Sequence, residues 1–493
     1  MMPPVTKLIG PLLIAILSVT VIACGTAALY GSSQRLPHRL HVGDWVVGGL
    51  TFQEFELQLA EKQASFLGLK ATLSLENHPS AAAGSKAERT LAELGVELDA
   101  QSLIEKTWPL RQGSVLQRAK ARWAMRGQAW TVSPSVNTDK LLAALRQVYP
   151  RLYQIKPKDA VRVIRPNDTV DYLPEKSTVQ PDERMFAERL AASLPSWEQS
   201  PTDVPELSVP LRVWNPAITV EMLRAQGIVR SIGHFTTAYP PSPDGGPGSA
   251  EGRLHNVQST AASLQDTLLA PGAVFDYAPF IKQTEEAFGY KEAPVIMNGK
   301  LVPGIGGGIC QVSSTLYMAV LHAGLEIVER RNHSLPVSYI PLGQDATFAT
   351  GHINFKFRNN TPHYVLIRTQ ADRKGLTVKL FGQTPADISY AVESRTIEKL
   401  EPPTKFVHNP TLPRGKQVPI TPGKPGYIVE TYRIKKQNGR EIGREKISRD
   451  TYSAQPNVIA MNSGGDADLD RSFPAPKDGL PYVEDGVKGP AFR

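Results

Sequence analysis

An uncharged, almost wholly apolar run from Leu8 to Tyr30 stands apart from everything after it. As a helix rising 1.5 Å per residue it would reach roughly 35 Å, against a bilayer core of about 30 Å. No later stretch is long and apolar enough to do the same, so the chain beyond Ser32 reads as a soluble body. From His38 the pattern becomes mixed α and β. Thr51-Phe52-Gln53-Glu54 has the form of a capping box, and Phe55, Leu57 and Leu59 lead into a helix ending near Leu67. Leu69, Ala71, Leu73 and Leu75 alternate with polar residues, which predicts a half-buried strand. Further helices are expected after Thr138-Asp139, with Leu141, Leu142, Leu145 and Val148, and after Pro181-Asp182-Glu183, with Met185, Phe186, Leu190 and Leu194.

Pro240 to Gly252 is too rich in Pro and Gly for any regular element. Near the carboxyl end, Val418–Ile420, Tyr427–Ile434 and Arg440–Ile447 read as short strands. Asn438-Gly439 marks a tight hairpin, because a type I′ turn needs positive φ at both central positions. From Met461 the composition predicts a flexible tail. The fold class is therefore a multidomain α+β protein. Residues 1–33 are a membrane anchor or lipoprotein signal, 38–210 an α+β region, 228–390 a second α+β domain, 402–460 a small all-β module, and 461–493 the tail.

Composition narrows the class. The 493 residues are 41% hydrophobic, enough for real cores, and too many for one ordinary domain. Two cysteines, Cys24 and Cys310, exclude a disulfide scaffold and a four-cysteine zinc site. The net charge of +8 suits any polyanion and selects none. Nucleic acid is not expected, because no nucleic-acid motif is present. Val21-Ile22-Ala23-Cys24-Gly25 has the form of a bacterial lipobox, so the signal peptide reading implies a lipidated Cys24; the length of the apolar run favours an uncleaved transmembrane helix. Both readings put the body on the extracytoplasmic side of the cytoplasmic membrane.

Candidate chemistry gathers at Cys310. Val312, Leu316, Ala319, Val320 and Ala323 share one helical face, and Gly324 is a stop signal. Cys310 thus falls in the first turn of a helix, behind Gly306, Gly307 and Gly308, where free amides and the helix dipole lower a thiol pKa. A strand at Glu326–Arg330 leads to His333, and another at Val337–Ile340 leads to Asp345. This order matches that of transglutaminase-like and papain-like cysteine enzymes. In that scheme Cys310 attacks, His333 takes its proton and Asp345 orients the imidazole. Gly306, Gly307, Gly308, Gln311, Ser313, Ser314 and Tyr317 are the candidate substrate-binding residues. A buried structural thiol is the competing reading. A metal site of Cys310, His333 and His352 or His363 is a third, though no tight ligand spacing supports it. No metal and no cofactor are expected.

Taken together, Gly289-Tyr290, Ala293-Pro294-Val295-Ile296, the run from Gly306 to Tyr317, His333-Ser334 and Gly343-Gln344-Asp345-Ala346-Thr347 resemble the VanW family, from about Ile228 to Gly382. That family is associated by name with clusters for resistance to vancomycin and other glycopeptides. Val42-Gly43, Gly48-Gly49-Leu50-Thr51 and Glu93-Leu94-Gly95 resemble the peptidoglycan-binding domain often placed before it. Leu412-Pro413-Arg414-Gly415, Pro422-Gly423-Lys424-Pro425-Gly426-Tyr427 and Asn438-Gly439 resemble the glycine-named G5 module, thought to bind amino sugars. Two positions depart from the family pattern. Val274-Phe275-Asp276-Tyr277 replaces Phe-Ser-Phe, and Asn354 stands where an acid is expected.

The resemblance implies a bacterial cell-envelope protein, anchored through residues 8–30, whose partner is peptidoglycan or another wall polymer. Three classes stay open: a wall-binding protein, a cysteine amidase, peptidase or transpeptidase using Cys310, and a non-catalytic envelope scaffold or signalling partner. The oligomeric state is not legible.

Overall fold

The computed structural model describes residues 9–76, 86–198, 204, 206–239, 249–297, 300–462 and 483–488. The chain divides into two compact units. The first comprises Met1–Asp159 with Glu175–Ala217; the second comprises Ala160–Pro174 with Ile218–Arg493. The architecture is mixed α+β, with an all-β module at the carboxyl end.

In the first unit, Ile9–Ser32 forms one helix, of which Ala15–Ser32 is long and apolar enough to cross a membrane. The predicted capping box is present. The Glu54 amide donates to Thr51 Oγ1 at 3.2 Å, and the Thr51 amide donates to Glu54 Oε2 at 2.7 Å, starting the helix Phe52–Leu67. Its buried face of Phe55, Leu59 and Phe66 packs over the strand Lys70–Leu75. That strand buries Ala71, Leu73 and Leu75 and lies between Leu207–Val209, parallel, and Ala87–Thr90, antiparallel. Thr138–Val148 and Glu183–Ser193 add Leu141, Leu145, Phe186 and Leu190 to the same core. Asn137, not Thr138, caps the former helix: its side chain accepts from the Asp139 and Lys140 amides.

The second unit is built around the helix Ile309–His322, whose residues from Ile309 to Leu321 are all buried. On one side lies an antiparallel sheet in the order Arg230–Ala238, Gly375–Gly382, Val365–Ala371, Leu268–Leu269. The hairpin Val161–Ile164 with Val170–Leu173 belongs to this unit, where Lys379 Nζ meets Asp168 Oδ1 at 2.7 Å. The all-β module has two three-stranded sheets. In one, Gly426–Gln437 lies between Ile388–Leu400 and Arg440–Tyr452; in the other, Asn457–Met461 lies between Thr404–His408 and Gln417–Thr421. Asn438 (φ 48°) and Gly439 (φ 78°) form the expected tight turn.

Several expectations need correction. Val337–Ile340 forms no strand. Pro336 and Pro341 flank it and offer no amide hydrogen to a ladder, so the segment runs irregularly while Leu335 and Ile340 stay buried. Of the Pro240–Gly252 loop, residues 240–248 lie outside the described residues; Ser249–Gly252 are already helical, the first turn of Ser249–Leu264 with Glu251 favourably placed near its positive end. The expected tail is also different where it is described. Val483–Glu484 forms a strand against Ile296 and Met297. Residues 463–482 and 489–493 of that tail lie outside the described residues.

Candidate functional site

Cys310 sits at the second position of its helix, after Gly308 at the cap with φ 110°. Gly306 also has positive φ, and a Cβ on Gly307 would stand 2.4 Å from the Pro294 carbonyl oxygen. The glycines therefore let the chain turn tightly against the hairpin Glu292–Met297/Lys300–Ile305 before the helix begins. The thiol is fully buried. It accepts from the Phe348 amide at 3.0 Å and lies 3.4 Å from the Phe348 carbonyl oxygen, to which it donates.

The helix-start argument predicts a lowered thiol pKa, and the structure reverses it. Burial pushes the Cys310 thiol well up, and the Asp485 carboxylate beside it adds to the rise, against the Phe348 amide. The dipole's benefit goes to Asp485 instead. Its Oδ1 accepts from the Gly308 amide at 3.1 Å and the Cys310 amide at 2.9 Å.

His333 and Asp345 do come together. His333 Nδ1 and Asp345 Oδ2 are 2.6 Å apart, and the His333 amide donates to the same oxygen at 2.7 Å. Both side chains are buried. Desolvation opposes a charged imidazole, but the hydrogen bond and charge of Asp345, with Asp485 and Glu484 behind it, outweigh burial and raise His333 above its ordinary value. Burial likewise opposes the Asp345 carboxylate, yet His333 and Arg330 hold it down to about 2. His333 Nε2 is buried with no hydrogen-bond partner among the described residues. The acid–imidazole half of the expected triad is assembled, and the thiol's hydrogen bonds go to the Phe348 backbone.

The predicted substrate-binding polar residues are all buried. Gln311 accepts from Arg253 Nε and Nη2 and donates to Thr237 Oγ1 and the Ala238 carbonyl, both at 3.0 Å. Ser313 donates to the Ala346 carbonyl at 2.6 Å, and Ser314 accepts from the Ala346 amide at 2.9 Å. These two serines fix the loop that carries Asp345. Tyr317 lies under the Arg330 guanidinium, 5.0 Å from ring centroid to Cζ. Asn354 donates to Asp276 Oδ1 at 2.8 Å; a carboxylate there would face Asp276 instead of bonding it. Among the described residues no group of three or more His, Cys, Asp or Glu is placed to hold a metal ion.

Five further residues complete the site and escaped the sequence reading. Arg330 donates to Asp450 Oδ1 at 2.6 Å and Oδ2 at 2.8 Å, to the Asp345 carbonyl at 2.7 Å, and to Asp345 Oδ1 at 3.4 Å. Tyr452 OH donates to Asp345 Oδ1. Asp450 and Tyr452 come from the strand Arg440–Tyr452 of the β module. Arg253 and Asp485 form an ion pair at 3.4 Å over the start of the cysteine helix. No local periodicity marks any of these. The available signal was chemical: Arg330 closes the strand before His333, and Glu484-Asp485-Gly486 breaks the tail's Pro-rich composition.

Comparison with known proteins agrees with this architecture. The sequence model of the family described as VanW like protein matches residues 252–381, and that of the G5 domain matches residues 392–462. The uncharacterized protein YoaR of Bacillus subtilis is 30% identical over 249 residues, covering 50% of this chain and 76% of YoaR. The vancomycin B-type resistance protein VanW of Enterococcus faecalis is 29% identical over 153 residues, covering 30% of this chain and 56% of that protein. Among solved structures, the G5 domain of IgA1 protease shares 26% identity over 16% of this chain and 96% of its own, with a TM-score of 0.13. HP0197-G5 shares 20% over 15% and 97%, with a TM-score of 0.11. This chain belongs to the VanW-like protein family and carries a G5 domain after its VanW-like domain.

Proposed function

We propose that this chain is an extracytoplasmic cell-envelope protein, held at the membrane by Ile9–Ser32, that binds peptidoglycan through its VanW-like and G5 domains. The observation that carries the reading is the joint construction of the buried site. Asp450 and Tyr452 of the G5 stretch hold Arg330 and Asp345 of the VanW-like stretch, so the two domains present one recognition body. The region 38–210 contributes a second wall contact. Co-sedimentation of the full chain with purified peptidoglycan tests the reading. Saturable binding that weakens with salt is expected from its basic excess; a chain that stays in the supernatant at every salt concentration contradicts it. A resistance role, suggested by the name of the Enterococcus relative, is tested by vancomycin susceptibility after deletion of the gene.

A second reading is favoured by one observation, the His333–Asp345 pair at 2.6 Å. In it Cys310 Sγ leaves Phe348, passes its proton to His333 Nε2 and attacks a wall-peptide carbonyl; the C–N bond breaks, the leaving amine takes the proton from His333, and the thioester is released by water in an amidase or peptidase or by a second amine in a transpeptidase. Cys310→Ala then abolishes turnover of muropeptides while wall binding persists. Turnover retained in that variant removes the nucleophile role.

A further inference from the structure

The segment Val483–Lys488 lies in a groove whose floor is cut for a backbone. Val483 and Glu484 pair antiparallel with Met297 and Ile296. The Val487 amide donates to the Ile305 carbonyl, and the Ile305 amide donates to the Lys488 carbonyl, both at 2.9 Å. Gly304 faces that Lys488 oxygen, which a Cβ would meet at 2.7 Å. On the segment itself, a Cβ on Gly486 would meet Val295 Cγ1 at 2.4 Å and the Ile305 oxygen at 2.9 Å. These are the contacts of strand addition, in which main-chain hydrogen bonds supply affinity and side-chain pockets supply specificity.

Two adjacent carboxylates fill the pockets. Asp485 takes the Gly308 and Cys310 amides through Oδ1 and Arg253 through Oδ2. Glu484 Oε2 accepts from the Ser334 amide at 2.9 Å and from Ser334 Oγ at 3.0 Å. Both acids are buried. Asp485 adopts φ 58°, in the left-handed region that a non-glycine residue keeps only when its surroundings hold it. Arg253 is itself held by Gln311, so the donor set is positioned by residues of the groove and not by the segment.

We propose that this groove is a binding site for an extended peptide bearing adjacent acidic residues followed by glycine, and that Val483–Lys488 is its intramolecular occupant, covering Cys310 until another such peptide takes its place. The inference goes beyond wall binding and does not depend on it, nor on any reaction at Cys310. An occupant on the same chain competes at high effective concentration, so the site is closed to dilute peptide while the segment is docked.

The test uses the full chain carrying Cys24→Ser, with and without Gly486→Val, and a fluorescein-labelled Val-Glu-Asp-Gly-Val-Lys peptide as probe. The added side chain at Gly486 expels the segment and leaves the groove residues unchanged. Anisotropy is expected to show saturable binding to Gly486→Val at least tenfold tighter than to the parent. Replacing the peptide's Asp by Asn, or Arg253 by Gln in the protein, should weaken that binding at least tenfold. A folded Gly486→Val chain that binds the probe no better than the parent overturns the proposal. If Gly486→Val does not fold, the full chain with Glu484→Gln and Asp485→Asn serves instead, read by the alkylation rate of Cys310 in native buffer. A rate at least tenfold above the parent supports the proposal; an unchanged rate overturns it.

Discussion

The two units handle polar groups in opposite ways. In the first, the core is Phe, Leu, Val and Ala with Trp130, Tyr149 and Trp197, and ion pairs such as Lys140–Glu97 and Lys86–Glu206 lie in solvent. Its one buried charge among the described residues is Arg122, which donates to the Arg35 and Ser33 carbonyls. The second unit buries Gln311, His333, Asp345, Asp450, Glu484 and Asp485, with the Arg330 side chain only 4% exposed. Exposed pairs contribute little to stability and buried ones cost several kcal/mol in desolvation, so a buried set is kept only where its charges are paired or hydrogen-bonded. Every carboxylate of this set is, while His333 Nε2 stays without a hydrogen-bond partner among the described residues. The contrast separates a unit with an apolar core from one that buries a connected set of polar and charged side chains.

The sharpest way to break the contrast is to remove the hub. Arg330→Met strands Asp345 and Asp450 without their shared cation, and urea denaturation should show a loss of about 3–5 kcal/mol. Acid titration gives the next effect. Asp345 is held at about 2 in the folded chain against an ordinary value of 3.8, so the unfolded state binds its proton first. Its contribution of about 2 kcal/mol is present above pH 4 and lost as pH falls through about 2. His333, raised in the fold, has the opposite sign: its contribution is present below pH 6.5 and lost as pH rises through its folded value. The gap between the parent and His333→Gln should therefore be widest between about pH 4 and 6.5 and narrow as pH rises through the folded value of His333. In the first unit, Thr51→Ala removes one arm of a capping box and should cost about 1 kcal/mol. Lys140→Ala should change stability by less than about 0.5 kcal/mol, because both partners of its pair are exposed. A loss at Lys140 rivalling that at Arg330 would erase the distinction.

What could be read from the sequence was local. The capping box needs residues three apart, the Asn438-Gly439 turn needs two, and the cysteine helix declares itself over 14 residues. His333 and Asp345, 12 apart, were legible as an order of residue types. Partners that meet across the fold were not. Cys310 and Asp485 are 175 positions apart, Arg330 and Asp450 120, Asp345 and Tyr452 107. Ile388–Leu400 was missed as a strand because most of its residues are partly or fully exposed and carry no clear alternation. The thiol pKa went wrong for the same reason as the tail: a helix start signals free amides, and the sequence gives no sign that a distant carboxylate has already taken them.

The most direct test of a closed, carboxylate-capped site is the alkylation rate of Cys310 against pH in the full chain carrying Cys24→Ser, beside the same chain with His333→Ala. The structure predicts a thiol silent up to and beyond the ordinary cysteine value of about 8.5 and reactive only on unfolding. A thiolate that reacts well below that pH, and loses its reactivity with His333, would contradict the closed site and make Cys310 the nucleophile of a cysteine enzyme.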